Sequence, residues 1–474
     1  MNRKLYIGLF SFTILLYFQS CKVGPNYQKM EVSVEDSYRF DSSATEADTV
    51  LNIRWWSNFN DPILDTLIRL ALEENKDVLI AASRIEESRA KLGFTKSDMW
   101  PKFSYSAIYN NGNFVNGQPS EQGQFGVGGV GLNWEIDFWG KYRRSNESER
   151  AKLVSNEFGL RAVQMSLISE VANAYYTLLD YQMRILISKK TLGLRDSSLF
   201  IIEKRFEKGI IPEIDVNQAQ IQRAIAAAAV PLYERNYAQT ENALSVLLGQ
   251  NPGTIPTNLR LVDQDKPNDI PVGLPTVLLR RRPDILQSEQ NVISQNALVG
   301  VAVAQRFPSV SITGLLGVAT TDFTSLLGGG ATWQVGASLF GPLFYFGKNK
   351  RRVEIEKART DQAIFAYENT VLNAFREVDD ALVAIETTKR ELIEREKQVK
   401  AAVNARELSA QRYDKGVTSY LEVLETQRGA FEAELEFANT LRSLFNSYVN
   451  LYNALGGGWL SPEEEQAANA AQGQ

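Results

Sequence analysis

The chain has 474 residues, a formal net charge of −5 and no histidine. Because histidine is the commonest general base and metal ligand, its absence argues against most enzyme classes, although carboxylate chemistry stays possible. The small negative charge argues against a nucleic-acid partner.

The chain begins with a segment that has the features of a secretion leader. Two basic residues precede an apolar stretch over 5–18, which is too short to span a bilayer as a mature helix but fits a signal-peptide core. Cys21, the only cysteine, follows at the expected cleavage point. We predict a signal peptide over 1–20 and acylation of Cys21, which begins a lipid-anchored N-terminal segment over 21–60. An ordinary leader beside an unmodified cysteine is the alternative.

A shift of 207 residues aligns the two halves of the chain without a gap. The run RFEKGIIPEID (205–215) then coincides with RYDKGVTSYLE (412–422). A unit this long indicates two structurally equivalent repeats, over 61–250 and 276–457, and not a solenoid of short repeats. The other predicted parts are a proline-rich connector at 251–275 and a disordered tail at 458–474.

Each repeat is predicted to contain a helix, a β-hairpin, a long helix and a return helix. The hairpins show period-two alternation, and the long helices contain no proline. The predicted elements of the first repeat are 75–99, a hairpin within 102–138, 141–206 and 213–248. Those of the second repeat are 283–306, a hairpin within 309–344, 348–413 and 420–455.

Three local features qualify this plan. The Gly-, Asn- and Gln-rich stretch Asn110–Gln124 is predicted to be the loop of the first hairpin. Pro231 is expected to break or kink the first return helix. The second return helix has coiled-coil spacing, with an apolar residue at every seventh position. These residues are Leu424, Phe431, Ala438, Phe445 and Tyr452.

The four predicted strands are each long enough to cross a membrane when tilted. Four strands cannot close a membrane barrel, which needs about eight, and an open edge in lipid leaves backbone groups unpaired. We therefore predict that copies of the chain share strands, and a trimer would supply twelve. Trp100, Trp134 and Trp139 near strand ends favour lipid contact over the alternative, in which the hairpins cover the end of a soluble helical protein.

A literal G-x-G-x-x-G motif occurs at Gly126, Gly128 and Gly131. It leads into a predicted strand instead of opening a helix, so it does not indicate a dinucleotide site. We predict neither a cofactor nor a metal site.

The two matching turns are the more specific signal. Gly209 and Gly416 each follow a long helix where a left-handed residue is favoured. Asp215 and Glu422 then fall in the first turn of the return helices, where an acid suits the helix dipole. Glu422 could also complete a capping box with Ser419.

Glu425 lies one helical turn beyond Glu422 and has no capping role. Three copies of the chain would place six such carboxylates around one mouth. A ring of this kind attracts cations. A carboxylate hydrolase, which would depend on the same two residues, is the weakest alternative function.

Three segments resemble a known family: RWWSNFNDPILDTLIRLALEEN (54–75), GLPTVLLRRRPDILQSEQ (273–290) and VGPNYQ (23–28). They are similar to the TolC superfamily, specifically the OprM-like (NodT-type) outer-membrane lipoproteins of tripartite RND efflux systems. The resemblance covers essentially all of the mature chain.

The resemblance implies a mainly α fold with a membrane β-barrel. It implies a homotrimer in which a 12-stranded β-barrel continues into a long α-helical coiled-coil tunnel. The implied partners are outer-membrane lipid, a periplasmic adaptor of the membrane fusion protein class and an inner-membrane RND-type pump. The chain would be a passive exit duct, gated at its periplasmic tip, and not an enzyme. A lipid-anchored periplasmic coiled-coil scaffold without a pore is the alternative.

The resemblance also implies roles for residues at the tip. The acidic constriction corresponds to Glu422 and Glu425, and the gate-locking pair to Tyr413 and Asp215. Thr418 stands where TolC adds an arginine to that lock. The implied adaptor-docking residues are Lys208, Gly209, Ile210, Ile211, Lys415, Gly416, Val417 and Thr418.

Overall fold

The computed structural model describes residues 22–30, 55–115, 118–257, 259–266, 279, 281–320 and 330–457. The predicted signal peptide, Cys21 and the predicted tail at 458–474 lie outside these residues. Of the predicted connector, only 251–257 and 259–266 are described, and they contain the short 3₁₀ helix Leu261–Asp263.

The helices and strands follow one another in the expected order. The first repeat contains α1 (Pro62–Glu74), α2 (Lys76–Ser97), β1 (Lys102–Val115), β2 (Gln118–Ile136), α3 (Lys141–Glu207) and α4 (Glu213–Leu247). The second repeat contains α5 (Pro283–Ala304), β3 (Ser309–Thr320), β4 (Ala331–Phe340), α6 (Lys348–Asp414) and α7 (Tyr420–Ala454). The ends of α2 to α7 lie within two residues of the positions expected from the sequence.

The described chain is mainly helical, with one four-stranded antiparallel sheet. None of its described helices combines the length and the apolar character that a bilayer crossing requires.

The long loop expected at Asn110–Gln124 is not present, and that prediction was wrong. β1 and β2 stay paired as far as Val115 opposite Gln118, with one register shift between Gly112 and Phe114. Antiparallel pairing uses backbone groups that nearly every residue carries, so glycine and asparagine do not prevent it when a partner strand lies alongside.

Pro231 does not end α4, which continues on both sides of it. A proline inside a helix removes one backbone donor. Pro231 is exposed, and Ala227, whose carbonyl loses this donor, is half-buried. The expected break was therefore wrong, and the alternative, a kink at Pro231, stays a prediction.

Two compact units account for the contacts of the described residues. The strand unit comprises the described parts of Met1–Val32, Ser83–Phe158 and Leu286–Asn369. The helical unit comprises the described parts of Ser33–Ala82, Gly159–Ile285 and Thr370–Gln474.

In the strand unit the sheet has the order β1-β2-β3-β4. Each strand is antiparallel to its neighbour, and β2 pairs with β3 from Gly126 opposite Thr320 to Ile136 opposite Val310. The two central strands are mostly half-buried, whereas β1 and β4 are largely exposed. The outer strands therefore each present one unshared edge within the described chain.

The core of the helical unit is rich in aromatic side chains. Trp55 stacks on Tyr452 with ring centroids 4.8 Å apart, and Tyr176 stacks on Phe445 at the same distance. Phe59 packs against Trp55, Tyr176 and Phe445. These side chains are almost completely buried, so the paired tryptophans of the RWW segment serve packing.

The start of α2 and the start of α5 are fixed by equivalent residues of the two repeats. Asn75 donates from Nδ2 to the carbonyl of Leu247 at 2.8 Å, and Arg282 donates from Nη1 to the carbonyl of Ala454 at 3.0 Å. Asn75 and Arg282 are 207 residues apart in the sequence, and so are Leu247 and Ala454. Arg282 also forms ion pairs with Asp284 and Glu377, which its longer side chain can reach. The duplicated contact thus survives with different chemistry.

The apolar face predicted for α7 from its seven-residue spacing is confirmed by burial. All five residues of the seven-residue pattern are at least nine-tenths buried. They are Leu424, Phe431, Ala438, Phe445 and Tyr452.

Two glycines offer a matched test of steric packing at helix ends. Gly209 and Gly249 have φ of +68° and +69°, so alanine at either position incurs a left-handed strain of about 1–2 kcal/mol. A Cβ at Gly209 meets nothing within 4 Å, whereas a Cβ at Gly249 would lie 2.3 Å from the carbonyl oxygen of Glu74. We expect Gly249→Ala to destabilise the fold by about 1–3 kcal/mol more than Gly209→Ala.

Thermal and urea unfolding of the detergent-solubilised protein, followed by helical circular dichroism, would measure this difference. Equal losses of stability for the two variants would contradict the steric account of Gly249.

Candidate functional site

Two helical turns form the tips of the helical unit: the first joins α3 to α4 and the second joins α6 to α7. In the first turn Gly209 donates its N–H to the carbonyl of Phe206 at 2.7 Å, and Ile210 donates to Arg205 at 2.9 Å. Gly416, with φ of +72°, occupies the same place in the second turn. This is the Schellman arrangement, which needs a left-handed residue after the helix. The glycine prediction is confirmed at both turns.

Six of the eight residues predicted to dock an adaptor are exposed at these turns. They are Lys208, Gly209, Ile210, Lys415, Gly416 and Val417. Ile210 and Val417 are equivalent apolar residues, each 65% exposed. The other two are half-buried: Ile211 packs on the core beneath the tips, and Thr418 donates its hydroxyl to Glu422.

The core beneath the tips joins α3, α4 and α7. Its fully buried members are Ile202, Val216, Ala219, Tyr420, Val423 and Leu424. Tyr413 of α6 packs against this cluster from the side, with its ring 5.4 Å from that of Tyr420. The ends of all four helices therefore share one apolar cluster.

Tyr413 is held by an arginine that the sequence analysis did not identify. The guanidinium of Arg205 lies over the Tyr413 ring, 4.7 Å from its centroid, and forms an ion pair of 3.1 Å with Asp414. Arg205 belongs to α3 and the other two residues to α6, so these contacts link the two helical hairpins. The Tyr413 hydroxyl is buried and has no hydrogen-bond partner within the described residues.

Asp215 lies in the first turn of α4, as predicted, and is half-buried. No hydrogen bond joins its carboxylate to Tyr413 among the described residues. The pKa of Tyr420 is raised to about 12. Burial is the main cause, and the nearby Tyr413 and Asp215 add to the shift. The Tyr420 hydroxyl therefore stays protonated at neutral pH.

The two predicted constriction carboxylates are each paired with an arginine. Glu422 lies 3.5 Å from the Nε of Arg412, and Glu425 lies 2.7 Å from the Nη2 of Arg428. All four side chains are more than one-third exposed. The expected capping box is absent, because Ser419 makes no side-chain cap and Glu422 bonds Thr418 instead.

A second missed arginine lies deeper among the tip helices. Arg195 of α3 is only 2% exposed and donates to the carbonyl of Gln222 in α4. Its guanidinium also lies over the ring of Phe431, 5.2 Å from the centroid. Burial lowers the pKa of Arg195, although a guanidinium stays charged at physiological pH. Arg195 therefore ties α3 to both return helices.

The tip arginines had a sequence signal, because Arg205 and Arg412 are equivalent positions in the two matching runs. Arg412 pairs with Glu422 of its own hairpin, whereas Arg205 reaches Asp414 of the other hairpin. The repeat thus identifies the residues but not their partners, which depend on how the hairpins pack.

The N-terminal strap, residues 22–30, is held in the strand unit by a fully buried arginine. Arg144 of α3 donates to the carbonyls of Val23 and Gly24 at 3.2 and 3.0 Å. It also donates to the side chain of Asn26 at 2.8 Å. The position after Cys21 is fixed as well, because Lys22 forms an ion pair with Glu147.

The described residues contain no cluster of three or more His, Cys, Asp or Glu side chains that could hold a metal ion. The G-x-G-x-x-G motif lies within β2. Gly131 of the motif and the adjacent Gly129 lie against the neighbouring strands. The arrangement of the tips is therefore one of packing and ion pairs, with exposed apolar and charged residues at the turns.

Comparison with known proteins agrees with this architecture. Residues 67–250 and 274–457 match the family described as "Outer membrane efflux protein". The chain is 32% identical over 451 residues to the probable efflux pump outer membrane protein TtgC of Pseudomonas putida, covering 93% of each protein.

Two solved structures are also similar. The outer-membrane channel OprN superposes with a TM-score of 0.85 at 30% identity, over 93% of this chain and 100% of that one. The CmeC outer membrane channel of Campylobacter jejuni also gives a TM-score of 0.85, at 28% identity, over 96% of this chain and 98% of that one. The chain therefore belongs to the outer membrane efflux protein family and is an outer-membrane efflux channel.

Proposed function

We propose that the chain is the exit duct of a tripartite efflux system and works as a homotrimer. Three copies contribute twelve strands to one β-barrel, and their helices form a tunnel. A periplasmic adaptor and an inner-membrane RND-type pump deliver cargo to the helical tips. The duct itself conducts passively.

The observation that carries this proposal is the sheet with two unshared edges. β1 and β4 each pair on one side only in the described chain, and both are largely exposed. In lipid every backbone N–H and C=O group must be paired, so an open four-stranded sheet is not viable there. Closure with further copies satisfies both edges.

The two turns of the helical unit contain the residues for a gate and for a docking surface. We propose that Tyr413 and Asp215 belong to the gate and that Arg205 is an added member of it. The exposed residues of the two turns, with Ile210 and Val417 at their ends, provide equivalent apolar contacts for an adaptor.

We also propose that Cys21 carries the lipid anchor. The contacts of Arg144 and Glu147 with the strap support this, because they fix the residues directly after Cys21 beside the C-terminal end of β2. Val23 also donates its N–H to the carbonyl of Trp139 at 3.3 Å. Acyl chains attached at Cys21 would then enter the membrane leaflet nearest the C-terminal end of β2.

No catalytic role is proposed. The only acidic pair that the sequence offered for hydrolysis was Glu422 and Glu425, and each of these carboxylates is paired with an arginine. Two-carboxylate hydrolysis needs the carboxyl groups to act on one substrate bond. The related proteins named above are channels and efflux components.

The oligomeric state and the pore provide the direct test. We expect the purified protein in detergent to have the mass of three chains, and we expect it to produce discrete conductance steps in a planar bilayer. A trimer that binds membranes without conductance would favour the scaffold alternative. A soluble monomer would contradict both.

The Arg205 contacts generate a prediction about the gate. Arg205→Ala removes the ion pair with Asp414 and the contact with the Tyr413 ring, each of which contributes about 1 kcal/mol or less. We expect the closed state to lose about 1 kcal/mol per subunit, which raises the single-channel open probability at low voltage by about fivefold or more.

Arg223→Ala is the matched control, because Arg223 forms an exposed ion pair of 2.7 Å with Asp196 that joins α3 to α4 of one hairpin. It should leave the open probability unchanged. An equal effect of both variants would indicate general loosening of the helices and not a specific lock at Arg205.

The constriction carboxylates generate a second prediction, with opposite signs for the two kinds of variant. Replacing Glu422 and Glu425 by glutamine removes negative charge and should lower the cation-to-anion permeability ratio. Arg428→Gln frees Glu425 from its partner and should raise that ratio. A unit charge at 4 Å contributes about 1 kcal/mol in water, so we expect changes of up to about fivefold.

Reversal potentials in a salt gradient measure the ratio. If all three substitutions leave the reversal potential unchanged, these side chains do not line the narrow part of the pore.

A further inference from the structure

The charges at the start of α3 are balanced by the turn that precedes this helix. Lys141 forms an ion pair of 2.6 Å with Glu135, and Arg143 forms one of 3.2 Å with Asp137. Tyr142 also donates its hydroxyl to Glu135 at 2.9 Å. Two cations and two carboxylates therefore neutralise one another at the junction of β2 and α3.

The second repeat keeps these cations but not the carboxylates. Lys348 and Lys350 of α6 are the residues that a shift of 207 positions aligns with the two cations of α3. The positions equivalent to the two carboxylates are occupied by Pro342 and Phe344. A turn that is neutral in the first repeat is thus basic and apolar in the second.

Two cations of α6 have no carboxylate partner among the described residues. Lys348 forms no ion pair there, and Arg352 donates from Nη1 to the neutral side chain of Gln305 at 2.7 Å. The two cations are four residues apart, so they lie on the same side of the first turns of α6. Their positive charges are therefore not neutralised by this chain.

Lys348 and Arg352 line one open pocket of about 260 Å³, at the end of the sheet where β2 and β4 finish. Glu135 and Asp137 line the same pocket, but each is already paired with a cation of α3. The pocket therefore has a net positive charge and suits an anionic group.

The turn between β4 and α6 exposes large apolar side chains beside these cations. Leu343 is 99% exposed, Phe346 is 87% exposed and Phe344 is 72% exposed. The rings of Phe344 and Phe346 also contact each other, with centroids 4.6 Å apart. Aromatic rings next to lysine and arginine are typical of the membrane–water interface, where the rings lie at headgroup level and the cations reach the phosphates.

The N-terminal strap lies at the same end of the sheet. Trp139 lines the pocket, and its carbonyl accepts the N–H of Val23 at 3.3 Å. An acyl anchor at Cys21 would therefore enter the membrane close to the pocket. The pocket is then at the depth of the lipid headgroups.

We infer that Lys348 and Arg352 bind the phosphate of an anionic phospholipid whose acyl chains pack against Leu343, Phe344 and Phe346. A guanidinium and an ammonium group both donate charge-assisted hydrogen bonds to phosphate oxygens. The exposed apolar side chains favour a lipid over a free phosphate compound. The inference rests on the outer-membrane location of the chain and requires one site per chain, whatever the number of copies.

Titration of the purified protein with phosphatidylglycerol in detergent, followed by native mass spectrometry, tests the site. Phosphatidylcholine is the comparison lipid, because its phosphate is balanced by a choline cation. We expect the wild-type chain to bind one phosphatidylglycerol at least about tenfold more tightly than phosphatidylcholine, since each basic residue near an anionic headgroup contributes about fivefold. Lys348→Gln with Arg352→Gln should abolish this preference.

Lys350→Gln with Arg351→Gln is the matched control. It removes the same charge from the same part of α6, but these two cations already pair with Glu354, at 3.8 and 2.6 Å. The control should keep the preference for phosphatidylglycerol. Lys348→Gln alone changes an exposed side chain and should weaken the binding of phosphatidylglycerol by about fivefold.

Several outcomes would overturn the inference. Equal binding of the two lipids by the wild-type chain would do so, and so would an equal loss of preference in the two double variants. Displacement of the lipid by an equal concentration of glycerol phosphate would mean that the pocket takes a free phosphate compound. Failure of only the Lys348 and Arg352 double variant to assemble would assign these cations to subunit contacts. The native mass of the wild-type protein without added lipid tests the proposed homotrimer separately.

Discussion

The unpaired backbone groups along the outer edges of the sheet are the constraint on which the rest of this molecule depends. Hydrogen bonding satisfies β2 and β3 on both sides, but it leaves one side of β1 and one side of β4 open within the described chain. Water could solvate such edges, whereas lipid cannot. Placement in the outer membrane therefore requires additional copies of the chain, and the pore is a property of the assembly.

The duplication provides a common plan that the two repeats then use differently. The same helix end is capped by Asn75 in one repeat and by Arg282 in the other. At the tips, Arg205 and Arg412 occupy equivalent positions, but only Arg205 connects one hairpin to the other. Backbone geometry is kept between repeats, and side-chain chemistry has diverged at equivalent contacts.

Helix positions could be predicted closely because local residues determine them. The glycines after α3 and α6 end those helices wherever the chain packs, and the seven-residue pattern of α7 indicates its buried face. The extent of the first hairpin could not be predicted, since pairing near Val115 depends on the strand opposite. The partners of Glu422 and Glu425 were missed for a similar reason. Which of the nearby donors pairs with each carboxylate depends on side-chain geometry, which the sequence does not specify.

The buried arginine beneath the strap has a consequence for handling the protein. Arg144 has no exposed surface, and it directs its donors to oxygen atoms of residues 23, 24 and 26. Those few residues, which are half-buried or exposed themselves, thus supply the acceptors for a buried charge. Any affinity tag or fusion at this end has to preserve them, since their removal would leave the Arg144 guanidinium with the Glu147 carboxylate but without its acceptors on residues 23, 24 and 26.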